Sequence, residues 1–141
     1  KPCVDAFLYF RADNAIHVVL AKRKIKPNMD WWFFGGRVLV TDESLQKAMA
    51  RKLQEEIGLS ISVDRIPNEP FRVHLYKFSE DGTVSVAMKF LIEISEAEYA
   101  SMRANLSKSQ EYSELIALPP SEIVNNMAYH EAIRDCATTL L

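Results

Sequence analysis

The sequence predicts an α+β fold, an α/β/α sandwich in which helices flank a mixed β-sheet. Three observations predict it. Apolar runs at Val4–Phe10 and Ile16–Leu20 bracket a polar turn, which reads as a β-hairpin. Leu45, Met49, Leu53 and Ile57 recur at i, i+4 spacing, which reads as an amphipathic helix. Further strand-like segments alternate with two or three more helical ones, and mixed elements of this kind bury their apolar faces by layering helices on a sheet.

Taken in order, Val4 to Phe10 is a buried strand and Asn14 sits in the turn before Ile16 to Leu20. Lys22, Arg23, Lys24 and Lys26 form a basic stretch, expected as a loop, ending at Pro27. Trp31 to Phe34 reads as a short aromatic strand stopped by Gly35 and Gly36. Four aromatics beside a turn are expected in the core, with base stacking the alternative for Trp31 or Trp32. The clearest helix is expected from about Glu43 to Ile57, with Asp42 as N-cap and Gly58 as the left-handed C-cap. Ile61 and Val63 suggest a short strand. Arg72–Phe78 and Thr83–Ile94 read as strands around the turn Glu80-Asp81-Gly82. Ser95 to Arg103 reads as a helix, Leu106 to Tyr112 as a loop and Leu115 to Leu118 as a strand. Pro119-Pro120 leads into a helical turn at Ser121 to Val124, and His130 to Leu140 forms the last helix.

The length, 141 residues, suits one domain spanning 1–141. A chain of this size buries roughly two-thirds of its unfolded surface and needs no staple. Its 17 basic and 19 acidic residues give a net charge of −2, against a general electrostatic grip on nucleic acid. A local phosphate pocket is compatible with that balance. Cys3 and Cys136 lack the spacing of a metal site and are expected as reduced packing residues. No apolar run nears the roughly 20 residues that span a bilayer. No secretion signal is read at the N-terminus, so no membrane partner and a cytoplasmic location are expected.

The chemistry concentrates at the end of the main helix. Glu55 and Glu56 stand where the helix dipole disfavours negative charge. Arg51 can serve Glu55 at i, i+4 but leaves Glu56. Adjacent carboxylates so placed are either an exposed acidic helix end with an ordinary ion pair or a site for a cation, and Mg²⁺ prefers a few carboxylates with phosphate oxygens and retained waters. The segment Gly36 to Leu59 reads GRVLVTDESLQKAMARKLQEEIGL. Its Glu43, Arg51, Leu53, Glu55, Glu56, Gly58 and Leu59 fall in register with the Nudix signature, and on these residues the chain resembles the Nudix hydrolase family. The stretches LAKRKIKP, WWFFGGRV, DESL and QEYSELIALPPSEI are similar to GDP-mannose mannosyl hydrolase-like members.

The resemblance implies a Mg²⁺-dependent hydrolase (Mn²⁺ in its place) of a nucleoside diphosphate derivative, a small-molecule nucleotide such as a nucleotide sugar. A nucleoside triphosphate pyrophosphohydrolase, or a degenerate module that binds nucleotide without turnover, are the alternatives, and a homodimer is among the expected partners. It implies Glu56, Glu55 and Glu111 as metal ligands, with a backbone carbonyl from Gly35 or Gly36 according to the register of the loop. Arg23 and Arg37 would bind the diphosphate, Arg37 also assisting departure of the leaving group. Arg51 completes the catalytic set. Three departures stand out. Gly36 stands seven residues before Glu43, where the signature has six. Lys52 replaces the family's usual glutamate, and a lysine accepts no proton at neutral pH without a large downward shift. Tyr112 stands where the relative carries its base, and its ordinary pKa of about 10 makes it a poor one. Glu111 is the expected base.

Overall fold

The computed structural model describes residues 1–24, 30–78 and 81–141. Lys26, Pro27 and Glu80, expected in loops, lie outside the described residues. Strand β1 (Pro2–Ala12) and strand β2 (Ala15–Arg23) form the expected hairpin, longer at both ends. Asp13 and Asn14 turn it with φ of 54° and 62°. Both are residue types that tolerate left-handed backbone, and the turn's twist matches that of the strands. Lys22 and Arg23 belong to β2 and not to a loop, because β2 stays paired there with later strands.

Strand β3 (Trp31–Trp32) and strand β4 (Phe34–Arg37) replace the single aromatic strand expected. Gly35 and Gly36 do not stop a strand; they continue β4, paired antiparallel with Asp5 and Val4 of β1. A Cβ on Gly35 would lie 2.1 Å from the Val4 carbonyl oxygen, so the approach admits only glycine.

Helix α1 (Leu45–Ile57) starts two residues later than expected, capped by Ser44, whose hydroxyl accepts from the Lys47 N–H. Asp42 does not cap it, since that carboxylate is occupied by the Leu39 N–H and by Arg51. Gly58 ends it at φ 68° as expected. Ile61 and Val63 form no strand. Ser62 accepts from the Asp64 N–H and starts a 3₁₀ turn at Val63–Arg65, while Ile61 and Ile66 bury into the core.

Strand β5 (Arg72–Phe78), strand β6 (Thr83–Glu93) and helix α2 (Glu96–Asn105) follow. The α2 start is a capping box, Ser95 and Glu98 each bonding the other's backbone N–H. Strand β7 (Tyr112–Leu118) begins earlier than expected, and a 3₁₀ turn at Pro120–Glu122 leads towards helix α3 (Glu131–Thr138). The sheet runs β3-β2-β1-β6-β5, with β4 on β1 and β7 on β2. Only β1–β6 is parallel among the described pairs, so the sheet is mixed.

Strand alternation sets the layers. Val4, Ala6, Leu8 and Phe10 pack towards α1 and α2, against Met49, Leu53, Ile57 and Met102. Phe7, Val18, Leu20 and Phe33 pack towards α3, against Ile133, Cys136 and Ala137. Each fully buried Leu, Ile or Met adds roughly 1.5–3 kcal/mol. This is the sandwich the sequence predicts. Cys136 is buried in the α3 layer, and both cysteines are free. No helix of the described residues is long and apolar enough to cross a membrane.

Candidate active site

Glu56 is the centre of the site. The i, i+4 stripe of α1 turns Leu53 and Ile57 fully inwards, and Glu56 beside them is 6% exposed. Its Oε2 accepts from the Tyr112 hydroxyl at 2.6 Å and from the Gly35 N–H at 3.2 Å. Its Oε1 is buried and receives no hydrogen bond among the described residues, though the Lys52 ammonium lies 2.9 Å away. Burial pushes the Glu56 carboxyl up to about 7; the nearby Glu111 adds to this, while Tyr112 and Lys52 oppose it. Burial lowers the Lys52 pKa, but Glu56, Glu111 and Glu55 raise it more, so it stays an ammonium and not a base. Tyr112, raised well above its ordinary value by burial and by Glu56, keeps its proton and positions the carboxylate.

Arg51 braces the turn before α1. It holds both Asp42 oxygens at 2.8–2.9 Å, the Arg37 carbonyl at 3.0 Å and Glu55 at 3.2 Å. A planar fork suits this multiple bonding, as an ammonium would not. Glu43 is exposed and pairs with Lys47, away from the cleft.

The structure brings every sequence-predicted site residue to one cleft of about 470 Å³, lined by Arg23, Gly35, Gly36, Arg37, Arg51, Glu55, Glu56 and Glu111, with Lys52 among them. Among the described residues no three His, Cys, Asp or Glu side chains converge as a metal cluster. A hard cation that takes one or two carboxylates and completes its shell with phosphate and water needs no such cluster. The buried Glu56 Oε1 fits that requirement once the Lys52 ammonium, 2.9 Å away, gives way to the cation.

A second cavity, about 700 Å³, opens from the same place and shares Arg23, Gly35 and Gly36 with the cleft. Arg23 Nε is buried without a hydrogen-bond partner among the described residues. The cavity's other walls come from residues that the motif did not mark: Asp5, Trp32, His74, Tyr76, His130 and Asp135. His130 caps α3 through Nδ1, and His74 meets Asp135 at 2.9 Å, ordinary structural contacts on a cavity wall. The overlooked signal is Asp5, a lone acid inside an apolar strand.

The NUDIX domain family model matches residues 1–136. No curated protein sequence matches the chain. Among solved structures, the chain is similar to Shewanella oneidensis NrtR complexed with a 27mer DNA (22% identity, TM-score 0.66), covering 97% of this chain and 60% of that one. It thus spans about three-fifths of NrtR. The NUDIX domain of that protein, complexed with ADP ribose, aligns at 22% identity and TM-score 0.58 over 98% and 86%. A C. elegans Ap4A hydrolase binary complex aligns at 16% identity and TM-score 0.70 over 99% and 96%.

Proposed function

Because this chain belongs to the NUDIX domain family, we propose that it is a hydrolase that cleaves a nucleoside diphosphate derivative, with the diphosphate in the cleft at Glu56 and the nucleoside in the adjoining cavity. One observation carries the reading. A buried carboxylate, one oxygen of which meets the Lys52 ammonium at 2.9 Å and receives no other bond from the described residues, stands in a cleft that Arg23 joins to a cavity of nucleotide size. The neighbours solved with ADP ribose and named for Ap4A hydrolysis support it.

Arg23 and Arg37 bind phosphate oxygens, a task for which the guanidinium fork is shaped. Tyr112 and the Gly35 N–H fix Glu56 in place, and Arg51 fixes the Arg37 segment through its carbonyl. Glu111, in the cleft and close enough to raise Glu56, takes the proton of the attacking water. Glu56, with Glu55, Glu111 and a carbonyl of Gly35 or Gly36, would hold Mg²⁺ or Mn²⁺, which would supply positive charge beside the diphosphate. The substrate that the sequence resemblance favours is a nucleotide sugar of the GDP-mannose kind.

A substrate panel of nucleotide sugars and nucleoside triphosphates with Mg²⁺, analysed for products, tests this. Free sugar with nucleoside diphosphate establishes attack at carbon, and nucleoside monophosphate attack at phosphorus. No turnover on any member overturns the proposal for these substrates. Glu56→Gln is expected to lower turnover by orders of magnitude. A second reading, a module that binds nucleotide without turnover, is favoured by Lys52, whose ammonium lies against Glu56. Calorimetry separates the two, since such a module shows no metal-linked nucleotide binding.

A further inference from the structure

The 700 Å³ cavity carries a buried ion pair that the hydrolytic cleft does not use. Lys89 on β6 is 0% exposed and Asp5 on β1 is 7% exposed. The two are brought together by parallel pairing, in which Asp5 stands opposite Lys89. The Lys89 ammonium donates to Asp5 Oδ2 at 2.5 Å and to Tyr76 Oη at 2.7 Å, and lies 4.0 Å from the Phe33 ring centroid. Two of its three N–H donors are used in this way. A buried pair of this kind adds little net stability over apolar residues of the same volume. What it does fix is the orientation of two cavity-lining groups.

Asp5 and Tyr76 both line the cavity; Lys89 does not. Asp5 Oδ1 receives no hydrogen bond from any described residue, although its side chain is only 9% exposed. It lies over Gly35, where an added Cβ would come within 2.4 Å of it. Tyr76 accepts from Lys89, so its own hydrogen is left to point elsewhere, and no described residue accepts it. Burial holds the Tyr76 hydroxyl above its ordinary range, so that hydrogen stays on. One free acceptor and one free donor are therefore tethered to the same ammonium. Beside them Trp32, 5.4 Å from Tyr76 and 5.1 Å from His130 between ring centroids, gives the cavity an aromatic wall. An aromatic face of this kind stacks a base whatever its identity.

We propose that Asp5 Oδ1 and the Tyr76 hydroxyl form an acceptor–donor couple that takes the hydrogen-bonding edge of a nucleobase, with Lys89 as its positioning residue. A base edge offers an N–H beside a ring nitrogen or carbonyl oxygen, which is the complement of this couple. The assignment rests on the nucleotide reading and makes these residues determinants of substrate specificity.

The test is calorimetric binding, with Mg²⁺, of ADP, CDP, GDP and UDP against base-free ribose 5-diphosphate. At least one nucleotide is expected to bind tenfold or more tighter than the base-free probe. Tyr76→Phe keeps the Asp5–Lys89 pair and should remove most of that gain while leaving ribose 5-diphosphate affinity unchanged. Asp5→Asn, whose amide oxygen would meet Lys89 and leave NH₂ towards the base, should do the same, and the double variant Asp5→Leu/Lys89→Met serves if the single one unfolds. Equal affinity of all five probes overturns the base couple alone, leaving the diphosphate site. A gain that survives both Tyr76→Phe and a folded Asp5 variant also overturns it. No binding of any probe to folded protein overturns the nucleotide reading and the couple together.

Discussion

Tyr112→Phe removes one oxygen atom from the centre of the site without changing the ring that packs 5.2 Å from Phe34. The lost interaction is a 2.6 Å bond to a buried carboxylate, and Glu56 Oε2 is left with the longer Gly35 N–H at 3.2 Å. Hydrogen bonds to charged groups contribute about 1.5–3 kcal/mol, so the variant should lose that much at pH 8. For a chain of 141 residues the unfolding entropy is roughly 0.3 kcal/mol per kelvin. The expected fall in Tm is therefore about 5–10 °C, measured by calorimetry in EDTA. At pH 5 Glu56 is protonated in the native state, its carboxyl lying at about 7. The bond is then neutral and contributes about 0.5–1.5 kcal/mol, so the loss should roughly halve. A loss under about 0.5 kcal/mol at pH 8, or an equal loss at both pH values, refutes the assignment of Tyr112 as the residue that stabilises the Glu56 charge.

Three further outcomes are expected. Glu56 titrates at about 7 folded against 4.5 unfolded, so between those values the native state holds a proton that the unfolded chain has lost. Its contribution to stability in metal-free buffer should fall as pH rises through that window, by on the order of 3 kcal/mol, and Mg²⁺ should restore it at pH 8. A pH titration that is unchanged in Glu56→Gln would sink this. Gly35→Ala places a Cβ 2.1 Å from the Val4 carbonyl and must part β4 from β1, at a cost of about 3 kcal/mol or more; a urea midpoint close to wild type would contradict it. Glu98 is held down to about 2, chiefly by Arg65, so its contribution is complete above pH 4.5 and lost as pH falls towards 2. With Arg65 42% exposed, solvent screening limits the effect of Glu98→Gln at pH 7 to about 1 kcal/mol, read from urea denaturation.

Where local chemistry decides, the sequence was readable. The α1 stripe, the Gly58 stop and the Asp13-Asn14 turn each follow from the residue itself. The errors share a cause, since each was settled by a partner distant in the chain. Asp42 has the chemistry of an N-cap, but Arg51 and Leu39 claim its carboxylate, and Ser44 caps instead. Gly35 and Gly36 look like a break, yet β1 supplies the strand partner that keeps them extended. Ile61 and Val63 have strand propensity and no strand beside them. The cleft forms because α1 carries Arg51, Glu55 and Glu56 while β4 sets Gly35, Gly36 and Arg37 beside them. The cavity was legible only as two anomalies, Asp5 and Lys89 in apolar strands, and a parallel register between segments 84 positions apart is what joins them.

The bonds around Glu56 have a consequence for motion. This one side chain, borne by α1, ties in β4 through the Gly35 amide and β7 through Tyr112. None of the three segments can open alone without stranding a buried carboxylate. The Gly35 amide is therefore expected to exchange with solvent deuterium slowly, through an opening that involves α1, β4 and β7 together. Functional groups are often carried on loose loops; the carboxylate proposed as central to this site is part of the cooperative unit itself. Drift in this region would be purged as instability before it could be tested as altered chemistry, so new specificity has more room to arise on the cavity walls.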